Sequence, residues 1–238
     1  MQNNLKTFRH ELKYYINFIE YHKLRSRLEK VLKRDSYSGV DGHYHIRSLY
    51  FDDENNSSLF EKQAGILTRK KFRIRIYNLS DKVIKLEKKE RVGNFIRKES
   101  ATLNSDDCSS IINGDVDFLK DSTNSLLRQL FIQIKHNNFR PNVLVDYLRE
   151  AYISDISNIR ITFDKDLRNG LTNTDLFSKS VPMILSLDEP WMILEVKFDN
   201  FLPDYIKNIL QLRSQQRYAI SKFAICKKFT KMNHWEDN

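Results

Sequence analysis

Polar and apolar residues alternate with period two along several stretches of the chain, the signature of strands that bury one face. Over residues 8–16, Arg9, Glu11 and Lys13 fall on one face and His10, Leu12 and Tyr14 on the other. Residues 44–51 are rich in aromatic and β-branched side chains, and residues 69–77 alternate sharply. Residues 83–89, 95–103, 143–153, 159–167 and 192–198 complete about eight predicted strands. Helical spacing appears between them. Asn17 is placed to cap a helix reaching residue 33, with Ile19, Leu24, Leu28 and Val31 on its inner face. A second helix is predicted over 125–135 through Leu126, Leu127, Leu130 and Ile134. Pro203 suits the first turn of a third, which continues through Ile206, Ile209 and Leu210.

Strands outnumber helices, and loops or single helices join them. The pattern predicts an α+β chain, an antiparallel sheet or β-barrel with peripheral helices. Only six glycines and four prolines interrupt the sequence, and no linker or repeat stands out, so one domain over residues 1–238 is expected. The polar stretch 104–125 reads as a connection inside that domain.

The polar faces of these strands carry the chemistry. Lys71, Arg73 and Arg75 share one face, while Phe72, Ile74 and Ile76 take the other. Lys85, Glu87 and Lys89 share a face, as do Arg160, Thr162 and Asp164, and Glu195 and Lys197; Arg149 goes with Val145 and Tyr147. A solvated outer face explains any one such strand, because antiparallel sheets often wet one side. The repetition over many strands favours a different arrangement. If these faces line a barrel, Lys13, Arg73, Arg75, Lys85, Lys89, Arg149, Arg160 and Lys197 outnumber Glu11, Glu87, Asp164 and Glu195. Like charges ~4 Å apart repel by about 4 kcal/mol at an effective dielectric of 20. A bound polyanion relieves that repulsion. Phosphate chains fit, because Arg forks and Lys ammonium groups both match phosphate oxygens. Carboxylates among the cations can hold Mg²⁺ or Mn²⁺, which use oxygen ligands and share phosphate oxygens.

Composition agrees with an anionic partner. The 238 residues carry 40 Lys+Arg against 31 Asp+Glu, a net charge of +9, and 40% are hydrophobic. Two cysteines, Cys108 and Cys226, make no disulfide framework, which suits a reducing compartment. The first residues have no apolar core of a signal peptide. No apolar run reaches the ~18 residues of a membrane span. A cytoplasmic protein without an integral membrane segment is the simplest expectation, and no sequence signal specifies an oligomeric state.

Other chemistries find little support. GxxxxGK[ST] and GxGxxG are absent, which disfavours P-loop and Rossmann sites. His43 and His45 lack a third nitrogen or sulfur ligand nearby and read as ordinary strand histidines. Ser221 has no His/Asp partners that would make a nucleophile. Cys108 lies in a stretch expected to be exposed and has no neighbouring His.

The ordered set of stretches resembles a known family. Glu11-Leu12-Lys13 resembles the ExK opening strand of the triphosphate tunnel metalloenzymes, the CYTH-like superfamily. The chain is more closely similar to the catalytic domain of the vacuolar transporter chaperone (VTC) polyphosphate polymerases. The likeness rests on Arg9-His10-Glu11-Leu12-Lys13-Tyr14, Ile46-Arg47-Ser48-Leu49-Tyr50-Phe51-Asp52, Phe72-Arg73-Ile74-Arg75 and Leu86-Glu87-Lys88-Lys89. It continues through Arg149-Glu150-Ala151-Tyr152, Ile159-Arg160-Ile161-Thr162-Phe163-Asp164, Leu194-Glu195-Val196-Lys197 and Ser221-Lys222-Phe223. These stretches span nearly the whole chain in the family's order.

The resemblance implies a β-barrel tunnel open at both ends that transfers the γ-phosphoryl group of ATP to polyphosphate with Mn²⁺ or Mg²⁺. It implies that Lys13, Arg73, Arg75, Lys89, Arg149, Arg160 and Lys222 act in catalysis. Together with Lys85, Lys98, Lys197 and Ser221 they would line the phosphate path. Glu195 would be the metal carboxylate, with Glu11 and Glu87 as metal or orienting groups. Eukaryotic polymerase subunits add an N-terminal regulatory domain and C-terminal membrane helices; neither reads from this sequence, so the expected likeness is to the free-standing microbial versions. A triphosphatase of the same fold would need the same cations and metal, with water as acceptor. A nucleic-acid binder would instead show aromatics beside its cations on one open face. Here Phe72 and Phe163 fall opposite the cations, so nucleic acid is not the expected partner.

Overall fold

The computed structural model describes residues 9–93, 95–211 and 216–233. Phe8, in the first predicted strand, lies outside the described residues. The described residues form ten strands of an antiparallel sheet and six α-helices, so the α+β class is as the alternation predicts. In chain order the strands are β1 His10–Ile16, β2 Lys33–Arg34, β3 Tyr44–Asp52, β4 Thr68–Tyr77 and β5 Ser80–Val92. They continue as β6 Phe95–Leu103, β7 Arg140–Ser154, β8 Ile159–Asn169, β9 Ile184–Leu185 and β10 Met192–Phe198. The helices are α1 Phe18–Leu28, α2 Ser57–Gln63, α3 Ser105–Asn113, α4 Ser125–Asn137, α5 Asp204–Ile209 and α6 Lys222–Asn233. Predicted strands 95–103 and 192–198 coincide with β6 and β10. β1 starts at His10, inside its predicted stretch, and the others run one to three residues beyond theirs, where pairing continues past the apolar pattern.

Packing divides the chain into two units. The first comprises the described part of Met1–Tyr44 with Tyr147–Leu167 and Leu187–Ile220. Its strands pair in the order β1-β10-β8-β7, with β2 on β7. Leu194 and Val196 of β10, Ile161 and Phe163 of β8, Tyr152 of β7 and Ile16 of β1 make its core. Tyr21, Leu24 and Leu28 of α1 and Ile206 of α5 close that core. Asn17 caps α1 as expected: its side chain accepts the Glu20 N–H at 2.9 Å, and the Glu20 carboxylate accepts the Asn17 N–H at 3.0 Å. The rest of the α1 expectation is corrected. The helix stops at Leu28 rather than residue 33, and Ile19 and Val31 are exposed. The buried stripe is Tyr21, Leu24 and Leu28, spaced by three and four, and Ile19 sits roughly half a turn away from it. Pro203 stands at the cap of α5.

The second unit comprises His45–Asp146, Arg168–Ser186 and the described part of Ser221–Asn238. Its strands pair in the order β7-β3-β4-β5-β6, with β9 on the end of β8. Phe72, Ile74 and Ile76 of β4 pack with Leu49, Phe51, Ile84, Leu86, Ala101 and Leu103 of the neighbouring strands. Cys108 and Ile111 of α3 and Leu126 and Leu130 of α4 cover them. The reading of 104–125 as a plain connection is therefore corrected. Asn104 caps α3 by accepting the Asp107 N–H at 2.7 Å, and Gly114, at φ 89°, closes it in the left-handed region that favours glycine. Cys108, expected to be exposed, is buried, and burial pushes its thiol up to about 12. That rules against a thiolate nucleophile. Neither α2 nor α6 was foreseen. No helix among the described residues is long and apolar enough to cross a membrane.

Candidate functional site

In both units the apolar strand faces build the cores, so period two turns the charged residues to the opposite face. Those residues are nonetheless largely withdrawn from solvent. Arg75, Glu87, Arg149, Asp164, Glu195 and Lys222 are all buried.

In the first unit the site centres on Glu195 of β10. Backbone pairing sets Lys13, Glu195 and Thr162 in one row across β1, β10 and β8, and Glu11, Lys197 and Arg160 in the next. Directly opposed residues share a face, so these side chains converge. The Lys13 amine lies 2.9 Å from Glu11 Oε1 and 3.5 Å from Glu195 Oε1, and donates to the Ile220 carbonyl at 3.2 Å. The Lys197 amine lies 3.2 Å from Glu195 Oε1, and Arg149 Nη2 lies 3.6 Å from Glu195 Oε2. Arg149 grips Asp164 with both arms of its fork, at 2.6 and 2.8 Å, and stacks over the Tyr147 ring at 5.2 Å. Arg160 donates to Asp35 at 2.5 Å and to the Tyr44 hydroxyl at 2.8 Å.

These contacts set the charge states. Burial disfavours the charged amine of Lys13, but Glu195 and Glu11 outweigh it and raise the group above its usual value. Arg149 is likewise desolvated yet held charged, chiefly by Asp164. For Lys197 burial wins: its amine is lowered despite Glu195 and Glu11, with Arg149 and Lys13 adding to the shift.

In the second unit the site centres on Glu87 of β5. Arg73 donates from Nε to Glu87 Oε2 at 2.7 Å, and its Nη2 lies 2.6 Å from the same oxygen. Its remaining arm donates to the Tyr50 hydroxyl at 2.7 Å. Arg75 Nη1 lies 3.8 Å from Glu87 Oε2, and its Nε donates to Ser48 Oγ at 3.1 Å. Lys98 ion-pairs with the other Glu87 oxygen. Burial alone would raise the Glu87 carboxyl, but Arg73, Arg75 and Lys98 overcome it and hold the group well below the carboxylate range. Lys85 donates to Thr102 Oγ1 at 2.6 Å. Lys89 pairs in register with Lys71 on one side and Lys98 on the other. Ser221 caps α6 by accepting the Ala224 N–H at 3.4 Å, which places Lys222 and Phe223 in the first turn.

The structure thus gathers Lys13, Arg149, Lys197, Glu11 and Glu195 in one cluster and Arg73, Arg75, Lys98 and Glu87 in another. Arg160 and Lys85 stand on the same faces with partners of their own. His45 Nε2 lies 3.0 Å from Asp146, while His43 lies just before β3 rather than in a strand. Asp35 and Tyr44 escaped sequence reasoning because their partner Arg160 is more than a hundred positions away. Tyr50 and Lys71 could have been found, since both occupy the polar phase of their strands.

A divalent cation can be tested against these residues. Glu11 and Glu195 both meet the Lys13 amine, and Thr162, paired with Glu195, has a buried Oγ1 with no hydrogen-bond partner. No group of three His, Cys, Asp or Glu side chains able to cage a metal occurs among the described residues. The fit is to a hard cation that takes one or two carboxylates here and further oxygens from a phosphate ligand. Glu87, enclosed by cations, suits an orienting role better than metal ligation.

Residues 8–231 match the profile of a family described as the VTC domain. No curated protein matches the chain. Among solved structures, a Bacillus halodurans protein provisionally described as an adenylate cyclase aligns with a TM-score of 0.54 at 14% identity, covering 90% of this chain and 94% of its own. A Vibrio parahaemolyticus protein given the same provisional description aligns with a TM-score of 0.50 at 11% identity, covering 92% and 97%. Likeness at such identity concerns the fold.

Proposed function

Because the chain belongs to the VTC domain family, as the match over residues 8–231 shows, we propose that it is a polyphosphate polymerase. On this reading the γ-phosphoryl group of ATP passes to the end of a polyphosphate chain within a cationic tunnel. A terminal oxygen of the acceptor phosphate forms the new P–O bond, the bond from Pγ to the bridging oxygen breaks, and ADP leaves with the electron pair. The observation that carries the proposal is the withdrawal of arginine forks from solvent beside carboxylates, with three cations, Arg73, Arg75 and Lys98, gathered on the single carboxylate of Glu87. Arg75 and Arg149 are buried, and each has a carboxylate partner that holds its guanidinium in place before substrate arrives.

Phosphoryl transfer needs little covalent help from a protein, so positioning and charge stabilisation do most of the work. By the family resemblance, the residues that would hold phosphate oxygens are Lys13, Arg73, Arg75, Lys85, Lys89, Lys98, Arg149, Arg160, Lys197, Ser221 and Lys222. Mn²⁺ or Mg²⁺, held by Glu195 with Glu11, would neutralise charge on the phosphate oxygens. Asp164 and Glu87 orient the guanidinium groups without touching the reacting atoms. Burial of the cations supports a narrow ligand over duplex nucleic acid, whose backbone needs an open basic face.

The test is to incubate pure protein with ATP and Mn²⁺ and follow phosphorus by NMR and gel. Polyphosphate with ADP is expected. Orthophosphate with ADP and no chain would replace the polymerase with a triphosphatase of the same fold.

A further inference from the structure

The face of β4 that carries Arg73 and Arg75 continues one pleat further, to Lys71. Lys71 stands directly opposite Lys89 on β5, and Lys89 directly opposite Lys98 on β6. A row of lysines therefore crosses three adjacent strands. Like charges directly opposed in a sheet are destabilising, so the row needs negative charge from somewhere. Lys98 obtains it from Glu87. Lys71 has no carboxylate within 4.0 Å among the described residues. Its amine instead donates to Ser221 Oγ at 3.4 Å and lies 4.3 Å from the centre of the Phe223 ring. Ser221 Oγ accepts from Lys71 and from the Ala224 N–H, so its own hydroxyl proton has no acceptor among the described residues.

We propose that Lys71 and Ser221, together with Lys89, form a further phosphate subsite where the first turn of α6 meets the charged face of β4. It rests on the polyphosphate reading and extends the phosphate path by one position. A phosphoryl group of a condensed phosphate supplies negative charge for Lys71 and an acceptor for the Ser221 hydroxyl. Phe223 holds the Lys71 amine in place, with the ammonium over its ring face.

The subsite carries a pH signature. Burial is the main influence on the Lys71 amine; Arg69 of the same strand adds to it, Asp52 of β3 opposes it, and Lys62 near α2's end and Lys89 of β5 add further. The result is an amine brought down to about 7. At pH 8 it is mostly neutral when alone, and a phosphate oxygen beside it draws the proton back. Binding at that pH is therefore coupled to proton uptake at Lys71.

Titration calorimetry of inorganic tripolyphosphate, free of metal, tests this at pH 8 in two buffers of different ionisation enthalpy. Wild type, Lys71→Met and Lys71→Arg are compared, each first checked for an intact melting transition. Lys71→Met is expected to lose about 10- to 100-fold in affinity, the range of one charged hydrogen bond, and to take up fewer protons than wild type. Lys71→Arg, always charged, is expected to keep the affinity while losing the same uptake. Wild-type affinity and wild-type uptake in both variants would overturn the subsite and leave the polymerase reading standing. If Lys71→Met does not fold, unchanged proton uptake in Lys71→Arg overturns it alone. Failure of wild type to bind tripolyphosphate at all would sink the polymerase reading, and the subsite with it.

Discussion

Replacing Glu87 by glutamine should make the empty protein less stable and its grip on phosphate tighter. The carboxylate is buried and is shared by Arg73, Arg75 and Lys98. Glutamine keeps the volume and one acceptor for Arg73 but removes the charge that those cations face. Breaking a buried ion cluster costs about 3–5 kcal/mol. Arg73 keeps Tyr50 and Arg75 keeps Ser48, so the lower end applies. About 3 kcal/mol is roughly a hundredfold in the folding equilibrium. Phosphate, by contrast, no longer competes with a carboxylate. A unit charge ~6 Å from a phosphate oxygen repels it by about 3 kcal/mol at an effective dielectric of 20; screening leaves about a tenfold gain in affinity. The sign with pH follows from the lowered carboxyl. Its folded-state value lies below its ordinary 4.5, so its contribution is fully present above 4.5 and is lost as pH falls toward the folded value. Urea denaturation should separate wild type from Glu87→Gln at pH 7, and the gap should narrow below about pH 4. Calorimetry with tripolyphosphate in chelator should show the tighter binding. Weaker binding in the variant would refute the reasoning and place Glu87 among the groups that act on the ligand.

Further outcomes follow from the same geometry. Glu195→Gln should abolish Mn²⁺-dependent turnover of ATP while the melting transition persists; near-wild-type turnover at saturating Mn²⁺ would count against its assignment. Arg73→Ala and Arg75→Ala should each weaken tripolyphosphate binding by about 10- to 100-fold, because each removes a charged forked donor. Ile74→Ala, on the opposite face, should lower stability by about 2–5 kcal/mol through the cavity it leaves, with tripolyphosphate affinity per folded molecule unchanged. Denaturation and calorimetry on the same samples read both.

Period two made most of this fold legible, because a strand with one buried face must alternate. Phe72, Ile74 and Ile76 entered the core and Arg73 and Arg75 turned away, as their phase requires. The same rule fails at Lys88, which is charged yet shares the buried phase of Leu86. It is tolerated there by Glu99 at 3.0 Å and the Gln129 side chain at 2.7 Å, partners that only the tertiary fold supplies. The missed helices have a local cause. α3 opens with Asn104, Ser105, Asp106 and Asp107, residues that favour turns as readily as caps, and only Cys108 and Ile111 are buried along it. In the site, the cations could be read because they repeat along strands. The groups that hold them could not, since Asp35 reaches Arg160 and Ser221 meets Lys71 across long stretches of chain.

The central claim is that the buried cations exist to hold a linear phosphate chain, and the melting temperature tests it most directly. A ligand at ~100 times its dissociation constant stabilises the folded form by about 2.7 kcal/mol. For a chain of this length that is a shift of roughly 5–11 °C. Tripolyphosphate or polyphosphate should produce it; orthophosphate should do so weakly, since it spans only one position, and chloride at matched ionic strength should not. Duplex DNA at matched phosphate concentration should also fail. Stabilisation by DNA equal to that by tripolyphosphate would contradict the account and favour a nucleic-acid-binding protein.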